Sequence, residues 1–291
     1  MRTTKPNSWR ILAIIALAAG LAGAGCGDDD STNPDAFDPP GGIKVVNGDQ
    51  SVVIGWTASP DEGDGDFRRY AIFRGVSSLV GVTGTQLEAA RVGVADAGDI
   101  TYTDTFGANG IRYYYHVRSE KDDGSLSGAS TEVLAAGREE GTGVIIEEFE
   151  SDGDSGFDFS TGSTVSLNAA NEDRFELTDL YLGTTDEDDA TSAPLSLKSP
   201  ELLVRLGNNE WEARDTDIKN IGEVWEITTT AAPGAGWANE QPVERSNVYA
   251  IKTPSGNYAK LMVLDVNETV PGAREITFKW AYQPTPNLVI F

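Results

Sequence analysis

The chain has 291 residues with 46 acidic and 22 basic side chains, a net charge of −24, one cysteine and one histidine. That balance excludes a nucleic-acid binder, which needs a basic stripe, and excludes membrane attachment through a polybasic surface. One cysteine and one histidine leave no disulfide framework, zinc set, thiol nucleophile or serine–histidine pair, so the composition points to a non-enzymatic protein held by apolar cores.

The chain opens with Arg2, Lys5 and Arg10, an apolar run from Ile11 to Leu21, and the small residues Gly23, Ala24 and Gly25 before Cys26. The pattern resembles a bacterial lipoprotein signal over residues 1–25, with Cys26 as the acylated (palmitate-bearing) first residue of the mature protein. Gly23 departs from that pattern, which prefers Leu three residues before the cysteine. The alternatives are secretory cleavage after Ala22-Gly23-Ala24 and an uncleaved anchor, although the apolar run falls short of the roughly 20 residues that span a bilayer. The resemblance implies a protein of the cell envelope, lipid-anchored at the outer membrane or cell surface, whose membrane partner is reached through the acyl chains.

Residues 26–42 are acidic and end in Pro39-Pro40-Gly41-Gly42, the composition of a disordered spacer. A second seam is expected over Ala135–Gly143, where apolar patterning stops and restarts. Between and after these seams the chain reads as short strands broken every 8 to 12 residues by turn formers, hence an all-β fold. In residues 43–137, Val52, Ile54 and Trp56 alternate on one face, Tyr70 and Ile72 follow, then Ile100–Asp104. Over Ile111–Ser119 the inward set is Tyr113, Tyr115 and Val117, and Tyr114, His116 and Arg118 point outward. Trp56, the Asp66-x-x-x-Tyr70 lead, Tyr113 as a tyrosine corner and the Gly124–Gly128 turn together resemble the fibronectin type III module, a β-sandwich. The module serves as spacer, adhesion unit or docking surface, and fold alone does not choose among these. His116 on an outward strand face lacks co-ligands for a metal.

Residues 144–291 read as a second, mainly antiparallel β-domain. A helical turn is expected near Asp215–Val224 from the spacing of Ile218 and Ile221. Trp211 and Trp225 are assigned to the core. Strands are expected over Val248–Lys252, Tyr258–Val266 and Glu275–Gln283, the first pair joined by the Thr253–Asn257 turn. Ala259, Leu261 and Val263 share one face, Tyr258, Lys260, Met262 and Leu264 the other, and Ile276, Phe278, Trp280 and Tyr282 form an aromatic face that must pack on something larger. Tyr249, Thr253, Gly256, Tyr258-Ala259-Lys260 and Ile276-Thr277-Phe278-x-Trp280 resemble the carboxyl-terminal part of the HmuY-like outer-membrane lipoproteins. The resemblance implies ligand capture, with haem the family's best-known ligand. Iron needs two axial side chains, and this segment has no histidine or cysteine and only Met262 as a soft donor, so no haem cofactor is expected.

Three acidic runs, Asp61–Asp66, Asp152–Asp158 and Asp186–Asp189, suggest calcium loops. Asp152, Asp154 and Asp158 come closest to a ligand set, but Gly156 occupies the fifth position and no Glu closes the loop; solvated acidic loops are the alternative. Trp237, in the Ala232–Trp237 Pro/Gly loop, could stack on a flat ligand such as a porphyrin or glycan, or anchor the loop on the core. The expected function is a binding or scaffolding lipoprotein without catalysis, whose partners are a cell-surface protein or a small molecule. The rivals are capture of a flat ligand by the second domain, which requires a concave aromatic pocket, and a carboxylate-based hydrolase, which requires convergent acids in a cleft.

Overall fold

A computed structural model describes residues 36–167, 176–186, 189, 191–203, 214–226, 230, 232–270 and 273–291. Cys26, the leader, the spacer up to Asp35, Glu187, Asp188 and Trp211 lie outside the described residues. Ala36–Phe291 forms one compact unit, and among its described residues the fold is all-β.

Seven strands make the first sandwich: β1 (Gly41–Gly48), β2 (Ser51–Thr57), β3 (Phe67–Gly75), β4 (Arg91–Asp96), β5 (Thr101–Thr105), β6 (Arg112–Lys121) and β7 (Val133–Ala136). They pair as β1-β2-β5 and β4-β3-β6-β7, all antiparallel, the three-plus-four layout of an immunoglobulin-like sandwich. The alternation read from the sequence sets the inner faces, because a period of two places Val52, Ile54 and Trp56 opposite Tyr70, Ile72, Tyr113, Tyr115 and Val117 in one core. A short helix, α1 (Gly84–Ala89), is the one α-helix among the described residues.

Four sequence expectations are corrected here. Residues 36–42 are not free spacer: Phe37 is buried and stacks on Phe67, the Asp38 carbonyl accepts from Ser59 and Ser119, and β1 starts at Gly41. An aromatic within an acidic stretch has an apolar face to bury, and the sandwich end supplies it. His116 is 1% exposed, not outward to solvent. Its side of the sheet is roofed by a second cluster, Phe73, Leu79 and Leu87, so both faces of β6 are covered. Strand-to-strand hydroxyl bonds are made by Tyr115, which donates to Asp104 at 2.8 Å, and by Tyr102, which donates to the Val92 carbonyl at 2.8 Å, while Tyr113 offers its ring to Phe106 and to the Arg74 guanidinium. Lastly, Asp215–Val224 contains a strand, not a helical turn, for reasons that follow from the second sandwich.

That sandwich comprises β8 (Glu139–Glu147), β9 (Gly156–Asp158), β10 (Ser163–Val165), β11 (Leu180–Thr184), β12 (Leu195–Lys198), β13 (Asp217–Asn220), β14 (Glu240–Pro242), β15 (Val248–Lys252), β16 (Tyr258–Val270) and β17 (Ala273–Gln283). The sheets are β10-β9-β11-β12-β14 and β13-β15-β16-β17-β8. Ile218 on β13 pairs with Ile251 and reaches the core, a tertiary pairing that overrides the i, i+3 spacing with Ile221. The aromatic face of β17 does find its larger partner: Phe278, Trp280 and Tyr282 pack against Phe157, Phe159, Leu180, Leu182, Leu195 and Leu197 of the facing sheet and its connections.

β8 begins at Glu139, so Glu139–Gly143, read as seam, is strand already paired to β17. Only Gly137 and Arg138 separate β7 from β8, and both are buried. The chain end crosses back at this point: Leu288 and Ile290 pack on Ala136, and Thr285 Oγ1 donates to the Gly110 carbonyl at 2.5 Å.

Candidate functional site

A cleft opens where β8 leaves its sheet. The Glu148 amide donates to the Arg274 carbonyl on β17 at 2.7 Å, and the next amide, Phe149, donates to Leu182 of β11 in the other sheet at 2.9 Å. The chain therefore bridges the two sheets, and a bridging segment leaves side chains over the gap. A turn closed by Ser151 N donating to the Glu148 carbonyl at 2.8 Å holds it there. The cleft is small, with an interior of about 20 Å³, room for about one water. Glu148 and Glu150 form its acidic side, Phe149, Tyr181, Leu202 and Leu203 its apolar side, and Gly183, Thr184 and Lys198 the rest.

The Glu148 carboxylate is buried at 5% exposure. Its Oε2 accepts from the Glu150 amide at 2.9 Å. Burial raises its pKa, the Glu150 carboxylate raises it further, and the amide donors and Arg274 pull the other way. Phe149 and Tyr181 meet edge to face, ring centroids 5.9 Å apart. Lys198 is buried beside them with its ammonium 3.9 Å from Glu240 Oε1. Gly183 lets these side chains close in, since a Cβ there would stand 3.1 Å from Lys198 Cδ and 3.2 Å from Tyr181 Cε2. Sequence reasoning passed over Glu148, yet the signal was available: Val144, Ile146 and Glu148 share one parity, so the acid continues an inward-facing register.

The sequence-derived candidates do not meet here. Trp237 is half-buried and packs beside Ala250, Tyr258 and Phe291, in a turn with Gly236 at φ +83°. Asp158 is buried and spends its oxygens on Ser160 N and Oγ and on Thr161 Oγ1, Asp154 accepts from Thr164 at 2.5 Å, and Asp152 is exposed. No group of three His, Cys, Asp or Glu able to hold a metal forms among the described residues. The Asp61–Asp66 run is used structurally: Asp61 accepts from the Asp38 amide and Glu62 from the Tyr70 hydroxyl and the Gly98 amide. Asp189 caps its own turn through Thr191 and Ser192. Met262 is half-buried on β16.

Three further buried titratable groups stand out. His116 packs edge-on against Phe73, and burial, then the Arg118 charge, hold its pKa at about 4. Asp179 accepts from the Phe159 amide at 2.9 Å, with Arg214 3.8 Å away, and burial pushes its pKa up to about 7. Lys260, 1% exposed, donates to the Trp225 carbonyl at 2.5 Å, and burial followed by Arg138 and Lys279 lowers its pKa to about 6. Trp225, assigned to the core from sequence, is instead half-buried in a turn with its ring under Lys260 (4.4 Å), Lys279 (4.3 Å) and Arg138 (5.7 Å). The quadrupole of an indole ring attracts lysine ammonium and arginine guanidinium groups to its face.

No protein-family model matches this chain, and no curated protein matches it. Among solved structures, it is similar to an Fn3-like protein from Clostridium thermocellum at 24% identity, covering 34% of this chain and 92% of that one, with a TM-score of 0.27. It is also similar to a fragment of titin at 27% identity, covering 35% of this chain and 32% of that one, with a TM-score of 0.26. Pectate lyase PelI from Erwinia chrysanthemi, in complex with tetragalacturonic acid, matches at 21% identity over 32% of this chain and 27% of the lyase, TM-score 0.25.

Proposed function

We propose that this chain is a lipid-anchored protein of the bacterial cell envelope, tethered through Cys26, whose fibronectin type III-like and HmuY-like β-sandwiches act as a non-catalytic scaffold that presents binding surfaces. One observation carries the scaffold reading over capture of a flat ligand: the aromatic face of the second sandwich is used up by its own core. Phe157 meets Phe159, Phe278 and Trp280 edge-on at centroid distances of 5.0, 5.1 and 5.5 Å, and Phe159 stacks on Tyr282 at 6.5 Å. Rings packed in that way leave no slot for a porphyrin or a sugar between them. The anchor rests on the basic head, apolar run and small residues before Cys26. The absence of catalysis rests on composition, since the lone histidine is buried in the first sandwich.

Two experiments test this. Replacing Cys26→Ser should move the protein from the membrane fraction to the soluble fraction, and mature protein that still floats with membranes would defeat the anchor. Ferric haem titrated into the full chain should produce no low-spin, bis-ligated Soret spectrum. Saturable one-to-one binding with that spectrum would restore haem capture.

A further inference from the structure

We infer that Asn267 is a glycosylation site, where an oligosaccharyltransferase of the cell envelope joins an oligosaccharide to the side-chain amide. Asn267-Glu268-Thr269 is the one Asn-x-Ser or Asn-x-Thr tripeptide in the chain, and its middle residue is not proline. The hydroxyl two residues on gives a transferase a second polar handle at short reach from the amide. Such a tripeptide becomes an acceptor where it lies at the surface. Asn267 stands near the turn end of the β16–β17 hairpin, paired with Glu275. Its neighbour Val266 packs on the core of the second sandwich, opposite buried Ile276, so strand alternation turns Asn267 to the outer face of the sheet.

The surroundings leave room for a sugar. Asp265, two residues before Asn267, has a side chain 59% exposed, and Arg245, which pairs with it at 3.5 Å, is exposed too. Across the sheet in the same row, Thr277 is half-buried and Ile145 of β8 is 48% exposed. Glu268 is exposed and pairs with Arg274 at 3.0 Å. Asn267 Nδ2 donates to Glu275 Oε1 at 3.3 Å, and an amide that carries a sugar keeps one N–H, so glycosylation is compatible with that bond. Beyond the Asn267–Glu275 pair the ladder loses register before its last pair, Val270–Ala273, so this end of the hairpin opens at the cost of few strand bonds. Asp265 gives the segment an acidic flank that a basic pocket can hold. The transfer is a displacement at the anomeric carbon of an oligosaccharide carried on a polyprenyl pyrophosphate. Nδ2 bonds to that carbon, the carbon–oxygen bond to pyrophosphate breaks with its electron pair leaving on the carrier, and one amide proton passes to a base on the transferase. The inference goes beyond the scaffold reading and shares with it only the export of the chain.

The test uses the purified full chain, a purified bacterial oligosaccharyltransferase and its polyprenyl-pyrophosphate-linked oligosaccharide in detergent solution. Intact mass and mass mapping of the modified peptide are the readouts. One oligosaccharide should be added, at Asn267. Thr269→Ser should keep the modification, while Asn267→Gln and Thr269→Ala should lose it. Thr269→Ala retains the asparagine, so its loss reports recognition of the tripeptide, and it carries the test if Asn267→Gln fails to fold. The assay contains no bilayer, so its result is independent of the Cys26→Ser experiment: failure here leaves the anchor standing, and failure of the anchor leaves this site standing. No addition to the folded chain, addition at another asparagine, or undiminished addition in Thr269→Ala overturns the inference.

Discussion

The two sandwiches solve the same burial problem with different chemistry. In the first, several large side chains carry polar tips that are tied: Tyr115 donates to Asp104, Arg74 pairs with Asp104 at 2.8 Å, and the Ser59 amide donates to the Tyr70 hydroxyl at 2.9 Å. Glu120, 2% exposed, is gripped by Arg69 and Arg91 at 2.9 and 2.5 Å, so its carboxylate is held below its ordinary pKa despite burial. In the second, the core is a dry stack of Phe157, Phe159, Phe278 and Trp280. Glu148, Asp179 and Lys260 there shift toward their neutral forms. The two guanidinium groups on Glu120 outweigh its burial, whereas burial prevails at Glu148, Asp179 and Lys260.

The contrast can be broken most forcefully in the dry core. Trp280→Ala removes a ring held by Phe157 and Phe159 and should cost about 3–5 kcal/mol, measured by denaturant unfolding. A loss under about 1 kcal/mol would mean the stack is not the second sandwich's core.

Leu288→Ala addresses whether the sandwiches act as one body. Leu288 is buried with Ile290 against Ala136, so the truncation should cost about 2–3 kcal/mol and separate a single unfolding transition into two. Two transitions already present in the wild type would show that the crossing chain end does not couple them.

The pH dependence should differ between His116 and Asp179. His116 has a folded pKa of about 4 against an ordinary 6.5, so between those values only the unfolded chain holds the proton and stability falls as pH falls through that window. His116→Phe should remove this slope, which is at most about 1.4 kcal/mol per pH unit. Asp179 runs the other way: its folded pKa of about 7 lies above 3.8, so stability contributed by the protonated acid is present below 3.8 and lost as pH rises to about 7. Asp179→Asn should flatten that slope. An unchanged profile in either variant would refute the burial argument for that residue.

The smallest effect is expected at Tyr115→Phe, about 1 kcal/mol, because Asp104 keeps Arg74 when the hydroxyl is lost. A loss above about 3 kcal/mol would show that the hydroxyl, not the ion pair, satisfies Asp104.

Much of this architecture was legible in the chain itself. Period-two alternation located β2, β3, β6, β15, β16 and β17 and assigned their inner faces, because strand geometry sends successive side chains to opposite sides whatever lies beyond. The all-β fold followed from short strand-like runs broken at regular spacing by turn formers. What alternation does not encode is the cover on the second face. His116 and Lys260 sit at outward parity and are buried because α1 and its neighbouring loop roof one sheet, while Trp225 and the chain end roof the other. Ile218 became strand through its pairing with Ile251, and Phe37 was drawn out of an acidic spacer by Phe67. The cleft depends on three separated segments, Glu148–Glu150, Tyr181–Thr184 and Lys198–Leu203, meeting where one strand crosses between sheets. Local sequence determines which way a side chain points along its own strand. Whether that direction ends in water or in a core is decided by long-range packing.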